Sequence, residues 1–374
     1  MGKEVEKIKV LQSVSSLGVG GNELFVMNLF REIDKSKFQV DFMIYDNRLD
    51  FESEVKNLGS KVYLCNETKG NKISLLLKEM RYVYKVLKEN HYDVIHCNGC
   101  SFVNILRAAI PAKLVGNVKV ISHAHSVGKI DKTFIDNIVR GFLKIVLSSV
   151  VDLGFACSDT AGRSKYTNLF LKSEKYKIIN NAIDVEKYSF SKENREEIRT
   201  KLGIDDKVVF GNVGRLSYEK NQGLLLEILS DLLKKGKNVA LLLIGGGVLE
   251  NELKEKAKAL GVERNVVFTG NIYDAERYYS AMDVYVMTSL YEGLPFTVIE
   301  AQMNGLKCVL TDAITTMADV SGDTRFLSIY DDVTIWGNEI LSHSTRSDKE
   351  KTEKVKDMYD VKKETQRIEN LYVS

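Results

Sequence analysis

The residues with the clearest chemical potential in this chain lie in Leu290-Tyr291-Glu292-Gly293-Leu294-Pro295-Phe296-Thr297-Val298-Ile299-Glu300-Ala301. Just upstream, Asp283-Val284-Tyr285-Val286-Met287 is a short apolar run that reads as a buried strand. Phe296 to Asn304 reads as a helix, and Pro295 suits its first turn, where a missing N–H costs nothing and φ is already preset. Such a helix starts with free N–H groups at about Phe296, Thr297 and Val298 and with the positive end of its dipole, a place that attracts anions. Glu292 on the loop and Glu300 inside the helix bracket that start. An ionised glutamate only accepts hydrogen bonds and therefore seeks hydroxyl groups. Amides for phosphate beside carboxylates for hydroxyls suit a ligand that carries both phosphate and sugar. Glutamate near a helix start is also ordinary capping chemistry, so the two residues alone leave the choice open.

Other candidates sit at comparable places. Lys207–Val213 reads as an apolar strand followed by Gly214-Arg215-Leu216-Ser217-Tyr218-Glu219-Lys220-Asn221. Arg215 offers a planar fork of donors and Lys220 a mobile point charge, both suited to a diphosphate and both equally able to be solvated surface cations. Ile8–Val14 reads as a first strand, followed by glycines including Gly20 and Gly21 and then a helix; glycines here let backbone approach a ligand, or make a flexible turn. His123 and His125 end the run Ile121-Ser122-His123-Ala124-His125-Ser126, and as metal ligands they lack a third partner nearby.

Strands at Phe38–Ile44, Lys61–Leu64, Tyr92–Cys97, Val118–Ser122 and Leu153–Cys157 alternate with helices at Ile73–Glu89, Phe102–Ala112 and Phe134–Ser149. Strands Val239–Ile244 and Asn265–Phe268 continue the alternation, which predicts parallel sheets covered on both faces, with ligands at the C-terminal strand ends. At 374 residues there is room for two domains. The net charge of +2 gives no electrostatic case for nucleic acid. The five cysteines are scattered; Cys97 and Cys100 form a C-x-x-C with no second pair, so free thiols in a reducing cytoplasm are expected. The first residues lack the apolar core of a signal peptide, and no run approaches the ~20 apolar residues of a membrane span. The segment from Phe134 to Val146, with Lys132, Arg140 and Lys144, is amphipathic: it either faces the core or lies on an anionic membrane surface.

The string Glu-Gly-Leu-Pro-Phe-Thr-Val-Ile-Glu-Ala from Glu292 closely resembles the glutamate-x7-glutamate signature of retaining, nucleotide-sugar-dependent group 1 glycosyltransferases. Gly214-Arg215-Leu216 with Glu219-Lys220-Asn221 resembles the same family's diphosphate motif. Cys157-Ser158-Asp159-Thr160-Ala161 resembles a Cys-Ser-x-x-Ala segment common in the family at this point. Asn180-Asn181-Ala182-Ile183-Asp184 resembles the family's Asn-Gly-Ile-Asp crossing, with Ala182 in place of glycine. The similarity covers nearly the whole chain and is strongest in 211–221 and 265–313. It resembles bacterial exopolysaccharide and capsule transferases in particular.

The resemblance implies an α/β fold of GT-B type, two Rossmann-like doubly wound parallel-sheet domains facing a cleft. Residues 1–185 would form the acceptor-side domain, 186–354 the nucleotide-sugar domain, and a helix at about 355–374 would cross back onto the first. It implies donor contacts from Gly20, Gly21, Arg215, Lys220 and the stretch Glu292, Gly293, Leu294, Pro295, Phe296, Thr297 and Glu300, with Glu23 a further candidate. Glu292 would hold sugar hydroxyls, Glu300 the ribose, and backbone at Asn271 and Ile272 the nucleobase. His125, with His123 in reserve, would reach the transferred sugar and acceptor. Arg215, Lys220, His125 and Glu292 form the catalytic set, with retention by front-side displacement. No Asp-x-Asp lies at a plausible strand end, so no metal and no cofactor are expected beyond the donor as co-substrate. The implied partners are a UDP-sugar and a saccharide acceptor, lipid-linked on the cytoplasmic side of a membrane. A nucleotide-sugar epimerase of the same fold, a sucrose or glycogen synthase-like enzyme, and a catalytically silent nucleotide-sugar-binding subunit are the alternatives.

Overall fold

The structure is a computed structural model that describes residues 6–18, 20–65, 70–126, 133–272, 274–292 and 294–374; Gly293 and Lys132, both singled out above, lie outside the described residues. The chain divides into two compact units, Met1–Ala182 with Val361–Ser374, and Ile183–Asp360.

The first unit runs β1 (Ile8–Ser13), α1 (Gly21–Glu32), β2 (Phe38–Ile44), α2 (Glu52–Asn57), β3 (Val62–Leu64), α3 (Lys72–Asn90), β4 (Val94–Gly99), α4 (Phe102–Val115), β5 (Lys119–Ala124), α5 (Phe134–Val150), β6 (Leu153–Ala156), α6 (Asp159–Lys165), α7 (Asn168–Leu171) and β7 (Tyr176–Ile178). Its seven strands pair in parallel in the order β3-β2-β1-β4-β5-β6-β7. The central strand β4 is buried along its whole length, His96 and Asn98 included, as a strand covered on both faces must be. Helices begin where short polar side chains cap free amides: Asn71 for α3, Ser101 for α4, and Thr133 with Asp136 as a reciprocal capping box for α5. Helix α4 passes Pro111 and stops only at Val115, before Gly116 at φ 69°.

The second unit runs α8 (Lys192–Leu202), β8 (Val208–Val213), α9 (Gln222–Lys234), β9 (Val239–Ile244), α10 (Glu250–Ala259), β10 (Val266–Phe268), α11 (Ala275–Tyr279), β11 (Val284–Met287), α12 (Phe296–Met303), β12 (Lys307–Thr311), β13 (Thr324–Leu327), α13 (Val333–Ser342) and α14 (Lys349–Tyr359). Its parallel sheet has the order β10-β9-β8-β11-β12-β13. The chain winds outward from β8 to β10, then returns to start β11 on the other side of β8. The β8/β11 boundary is therefore the topological switch point, where loops diverge and a crevice opens at the strand ends. Asp283 fixes its lower end: it accepts hydrogen bonds from Arg195 (2.5 Å), Arg199 (3.2 Å) and the Val209 amide (2.8 Å).

The last helix, α15 (Val361–Val373), belongs to the first unit. Its buried Tyr372 packs on Phe38 and edge-on to His96. Helix α5 packs on the core of that unit through Leu143, Val146, Leu147 and Val150. It leaves Ile135, Ile138, Val139, Phe142 and Ile145 50–71% exposed on another side. Its Lys144 ammonium does not flank that apolar stripe; it donates to the Arg163 carbonyl (2.6 Å) on α6.

Candidate active site at the ends of β8 and β11

The loops that leave β8 and β11 are latched together by backbone and side-chain hydrogen bonds. The Leu290 N–H donates to the Glu219 carbonyl (2.8 Å), Asn221 Nδ2 to the Thr288 carbonyl (3.2 Å), and Thr288 Oγ1 to the Asn221 carbonyl (3.0 Å). The latch brings Lys220 Nζ onto Glu292 Oε1 in a direct ion pair, with side chains 20% and 17% exposed. Two residues 72 positions apart, each read from its own motif, thus meet at the switch point. Arg215 stands beside them, exposed, and its guanidinium makes no hydrogen bond among the described residues. Its carbonyl is held by Gln222 Nε2 (2.9 Å), which fixes the loop without occupying the cation.

Helix α12 begins at Phe296 after Pro295 (φ −75°), with no side-chain cap. The amides of Phe296 and Thr297 have no acceptor among the described residues. Val298, the third amide expected to be free, is not: it donates to the Pro295 carbonyl (3.1 Å), because the first turn tightens. Thr297 Oγ1 is tied to the Tyr285 hydroxyl (2.7 Å), which also reaches the Val213 carbonyl (3.4 Å), so the helix start is fixed to a β11 side chain and to the end of β8. Leu294 is half-buried against the apolar core below.

Glu300 faces inward, only 7% exposed. Its Oε2 accepts from the Tyr279 hydroxyl (2.5 Å). Burial pushes its carboxyl above the usual carboxylate range, against hydrogen bonds from Tyr279 and Tyr188 and the nearby Lys187, which favour the charged form. Neither tyrosine carried a signal in the sequence; Tyr279 is the last residue of α11.

The glycine loop after β9 approaches the loop after β8 closely. A Cβ on Gly245 would lie 2.3 Å from the Gly214 carbonyl oxygen, and one on Gly247 2.2 Å from that of Leu216. Only glycine fits there. Asn271 Oδ1 accepts from the Gly246 amide (2.8 Å) and so braces this loop through its side chain, while Ile272 packs on the core.

In the first unit Gly20 caps α1 with no side-chain hydrogen bond, and Gly21 is exposed as its first residue. A Cβ on Gly20 would meet Glu23 Oε2 at 2.5 Å. Glu23 is held over that turn by Ser16 Oγ (3.0 Å). His125 is buried, and Asn98 determines its tautomer. Asn98 Nδ2 donates to the His96 carbonyl (3.1 Å) and to Gln12 Oε1 (2.9 Å), so its Oδ1 must be the atom facing His125 Nε2 (3.0 Å), and Nε2 carries the proton. His125 Nδ1 and Asn181 Oδ1 are both buried without a hydrogen-bond partner among the described residues. His123 stacks on His125 (4.0 Å between centroids) and on His96 (5.4 Å), and Phe25 packs edge-on against it (4.7 Å). The His96 Nδ1 meets the Tyr372 hydroxyl (2.8 Å), which also accepts from Gln12 Nε2 (2.9 Å). Burial pushes His96 and His125 down to about 3 and His123 well below its ordinary value. All three are neutral in the working range. The sequence pointed to His123 and His125 but not to His96, Gln12, Asn98 or Tyr372, whose partners are remote in the chain. Among the described residues no group of three or more His, Cys, Asp or Glu is arranged to hold a metal ion.

Residues 194–358 match the family described as glycosyl transferases group 1, and residues 19–187 match glycosyltransferase family 4. EpsF of Bacillus subtilis, named as a glycosyltransferase, is 29% identical over 97% of this chain and 96% of its own. The UDP-Gal:alpha-D-GlcNAc-diphosphoundecaprenol alpha-1,3-galactosyltransferase of Escherichia coli is 27% identical over 64% of this chain and 63% of its own. Among solved structures, Anabaena Alr3699/HepE in complex with UDP-glucose superposes with a TM-score of 0.76 at 20% identity, covering 97% of this chain and 99% of that one.

Proposed function

Because the chain belongs to the group 1 glycosyltransferases, built as two parallel-sheet units of GT-B type, we propose that it transfers a hexose-type sugar from a UDP-sugar to a saccharide acceptor on a lipid carrier, with retention and without a metal, in cytoplasmic exopolysaccharide or capsule assembly. The observation that carries this is the convergence at the β8/β11 switch point of Lys220, exposed Arg215 and the unbonded amides of Phe296 and Thr297. Cations and amides at a helix start make a diphosphate cradle, and the groups that bind a leaving diphosphate also stabilise the charge that grows on it as the glycosidic bond breaks. Glu292 takes sugar hydroxyls. Glu300, aimed by Tyr279 and Tyr188, takes the ribose. Backbone beside Asn271 and Ile272, in the loop braced on Gly246, takes the base. The choice of UDP is supported by the relative named for UDP-Gal and by the neighbour that binds UDP-glucose. A lipid carrier is supported by relatives named for diphosphoundecaprenol substrates.

Retention by double displacement needs a second carboxylate roughly 5 Å from the first across the sugar. Glu292 is engaged with Lys220 and Glu300 with Tyr279. Front-side displacement fits better, with the leaving phosphate taking the proton of the acceptor hydroxyl. His125, neutral and fixed through Asn98, acts in the first unit as a positioning group and not as a proton carrier. The exposed apolar stripe of α5 supports peripheral contact of that unit with a membrane surface.

A panel of nucleotide sugars, incubated with and without membrane extract while free nucleoside diphosphate is measured, tests the assignment. Release from one donor, dependent on the extract, is expected. An Arg215→Ala/Lys220→Ala double variant that keeps full activity overturns it, and conversion of the donor with no acceptor present points to an epimerase instead.

A further inference from the structure

The ion pair between Lys220 and Glu292 couples the two halves of a nucleotide sugar. Each member is offered to a different part of the ligand, the ammonium to the diphosphate and the carboxylate to sugar hydroxyls, yet without ligand they hold each other. Their backbones are latched through Leu290 to Glu219 and through Asn221 to Thr288, so neither loop moves away; only side-chain torsions separate the charges. A diphosphate that draws the ammonium away leaves a Glu292 carboxylate that is mostly shielded from water and close to new negative charge. Even an ammonium that bridges both, using its three donors, brings carboxylate and phosphate within reach of one nitrogen. Like charges at that spacing disfavour binding. A ligand that also carries hydroxyl donors satisfies the carboxylate and removes that cost.

We propose that Glu292 is a specificity-determining residue: through its pairing with Lys220 it makes the site favour an intact nucleotide sugar over the bare nucleoside diphosphate, and so speeds departure of the product. The proposal rests on the donor-site assignment above. Arg215 adds positive charge to the same site but makes no hydrogen bond to either member of the pair, so it strengthens binding of both ligands alike.

The test compares dissociation constants, measured by titration calorimetry, for UDP and UDP-glucose in the wild-type chain and in Glu292→Gln. The glutamine keeps the shape and an acceptor for hydroxyl groups while removing the charge. The variant is expected to bind UDP about tenfold tighter and UDP-glucose no tighter than the wild type, so that the preference for the sugar-bearing ligand collapses. Equal shifts for both ligands, or none, overturn the proposal. Lys220→Ala separates this from failure of the donor site itself: it is expected to weaken both ligands, and unchanged binding of both places the diphosphate elsewhere and overturns the assignment along with the proposal.

Discussion

The two units wind their sheets in the same manner but treat the polar groups at their strand ends in opposite ways. In the first, His96, His123 and His125 are stripped of water and pushed towards neutrality; His96 and His125 are joined by hydrogen bonds through Tyr372, Gln12 and Asn98, and His123 is held between them by ring stacking alone. In the second, Arg215 is exposed, Lys220 and Glu292 hold each other in an ion pair that a ligand can open, and two amides of α12 have no acceptor among the described residues. Buried hydrogen bonds of this kind resist change, because each partner lost leaves a further buried polar atom unsatisfied. An open set of charges is free to exchange partners with a ligand. The same fold position therefore says little about role; the partners already present decide it.

The sharpest way to break the contrast is acid. A histidine whose folded pKa is depressed binds a proton more readily when unfolded, so stability is full above about 6.5 and is lost as pH falls towards about 3. For His96 and His125 together, the loss between pH 7 and pH 5 is on the order of 4 kcal/mol. The chain has one tryptophan, Trp336, buried in the second unit. Urea titrations at the two pH values should thus show the far-ultraviolet circular dichroism transition moving well ahead of the Trp336 fluorescence transition at pH 5. Coincident shifts would mean that the histidine network carries no special acid lability.

The next effect sharpens the other side. Lys220→Ala should lower turnover by roughly a hundredfold or more, the usual cost of losing one preorganised group that faces growing negative charge. Arg215→Ala should cost less, because it stands more exposed. Arg215→Ala should leave the unfolding midpoint in place, whereas Lys220→Ala, which strands a mostly buried Glu292 carboxylate, should lower it. A single-turnover assay with saturating donor separates the chemical step from binding.

Much of the second unit was legible because its candidate site residues are local. Glu292, Pro295 and Glu300 lie within one strand–loop–helix unit, and Arg215 and Lys220 within another, so motif and geometry coincide. The alternation of apolar runs with amphipathic helices likewise revealed both parallel sheets, since central strands must be apolar on both faces. Strand β13 escaped notice because an edge strand of Thr324-Arg325-Phe326-Leu327 needs only one covered face and keeps polar residues on the other. The histidine network escaped for a different reason. Tyr372 meets His96 across 276 positions and Gln12 across 360, and no local pattern encodes such pairings. The Val298 amide was misjudged because a tightened first turn is a property of geometry and not of residue type.

A third measurement exploits Glu300, which sits in the charged unit but is buried like a member of the other. Its carboxyl is raised, so the ionised form is disfavoured in the fold: the associated stability is full below the ordinary glutamate value and is lost as pH rises through the raised one. Glu300→Gln should therefore raise the Trp336 unfolding midpoint at pH 7, by on the order of 2 °C, while weakening donor binding roughly tenfold or more through loss of a charged acceptor. Tyr279→Phe removes one of the hydrogen bonds that favour the carboxylate, so the pH below which donor affinity declines should move upward. A variant that loses stability and affinity together would make Glu300 a packing residue.

The smallest expected effect concerns a surface on which the first unit is not closed. Ile138 and Phe142 lie one turn apart on α5, 58% and 63% exposed, outside the row of residues that packs on the core. Exposed side chains contribute little to folding, so Ile138→Ser and Phe142→Ser should each change stability by no more than about 0.5 kcal/mol. Burial of the same side chains in an interfacial layer is worth up to about 2 kcal/mol each, so the pair should reduce flotation with phosphatidylglycerol vesicles by tenfold or more. Lys144→Glu separates apolar docking from attraction by charge. The Lys144 ammonium is bound to the Arg163 carbonyl, away from the stripe, so its reversal should matter less than the loss of Phe142. If flotation follows Lys144 and ignores Phe142, the contact is electrostatic and the stripe serves another partner.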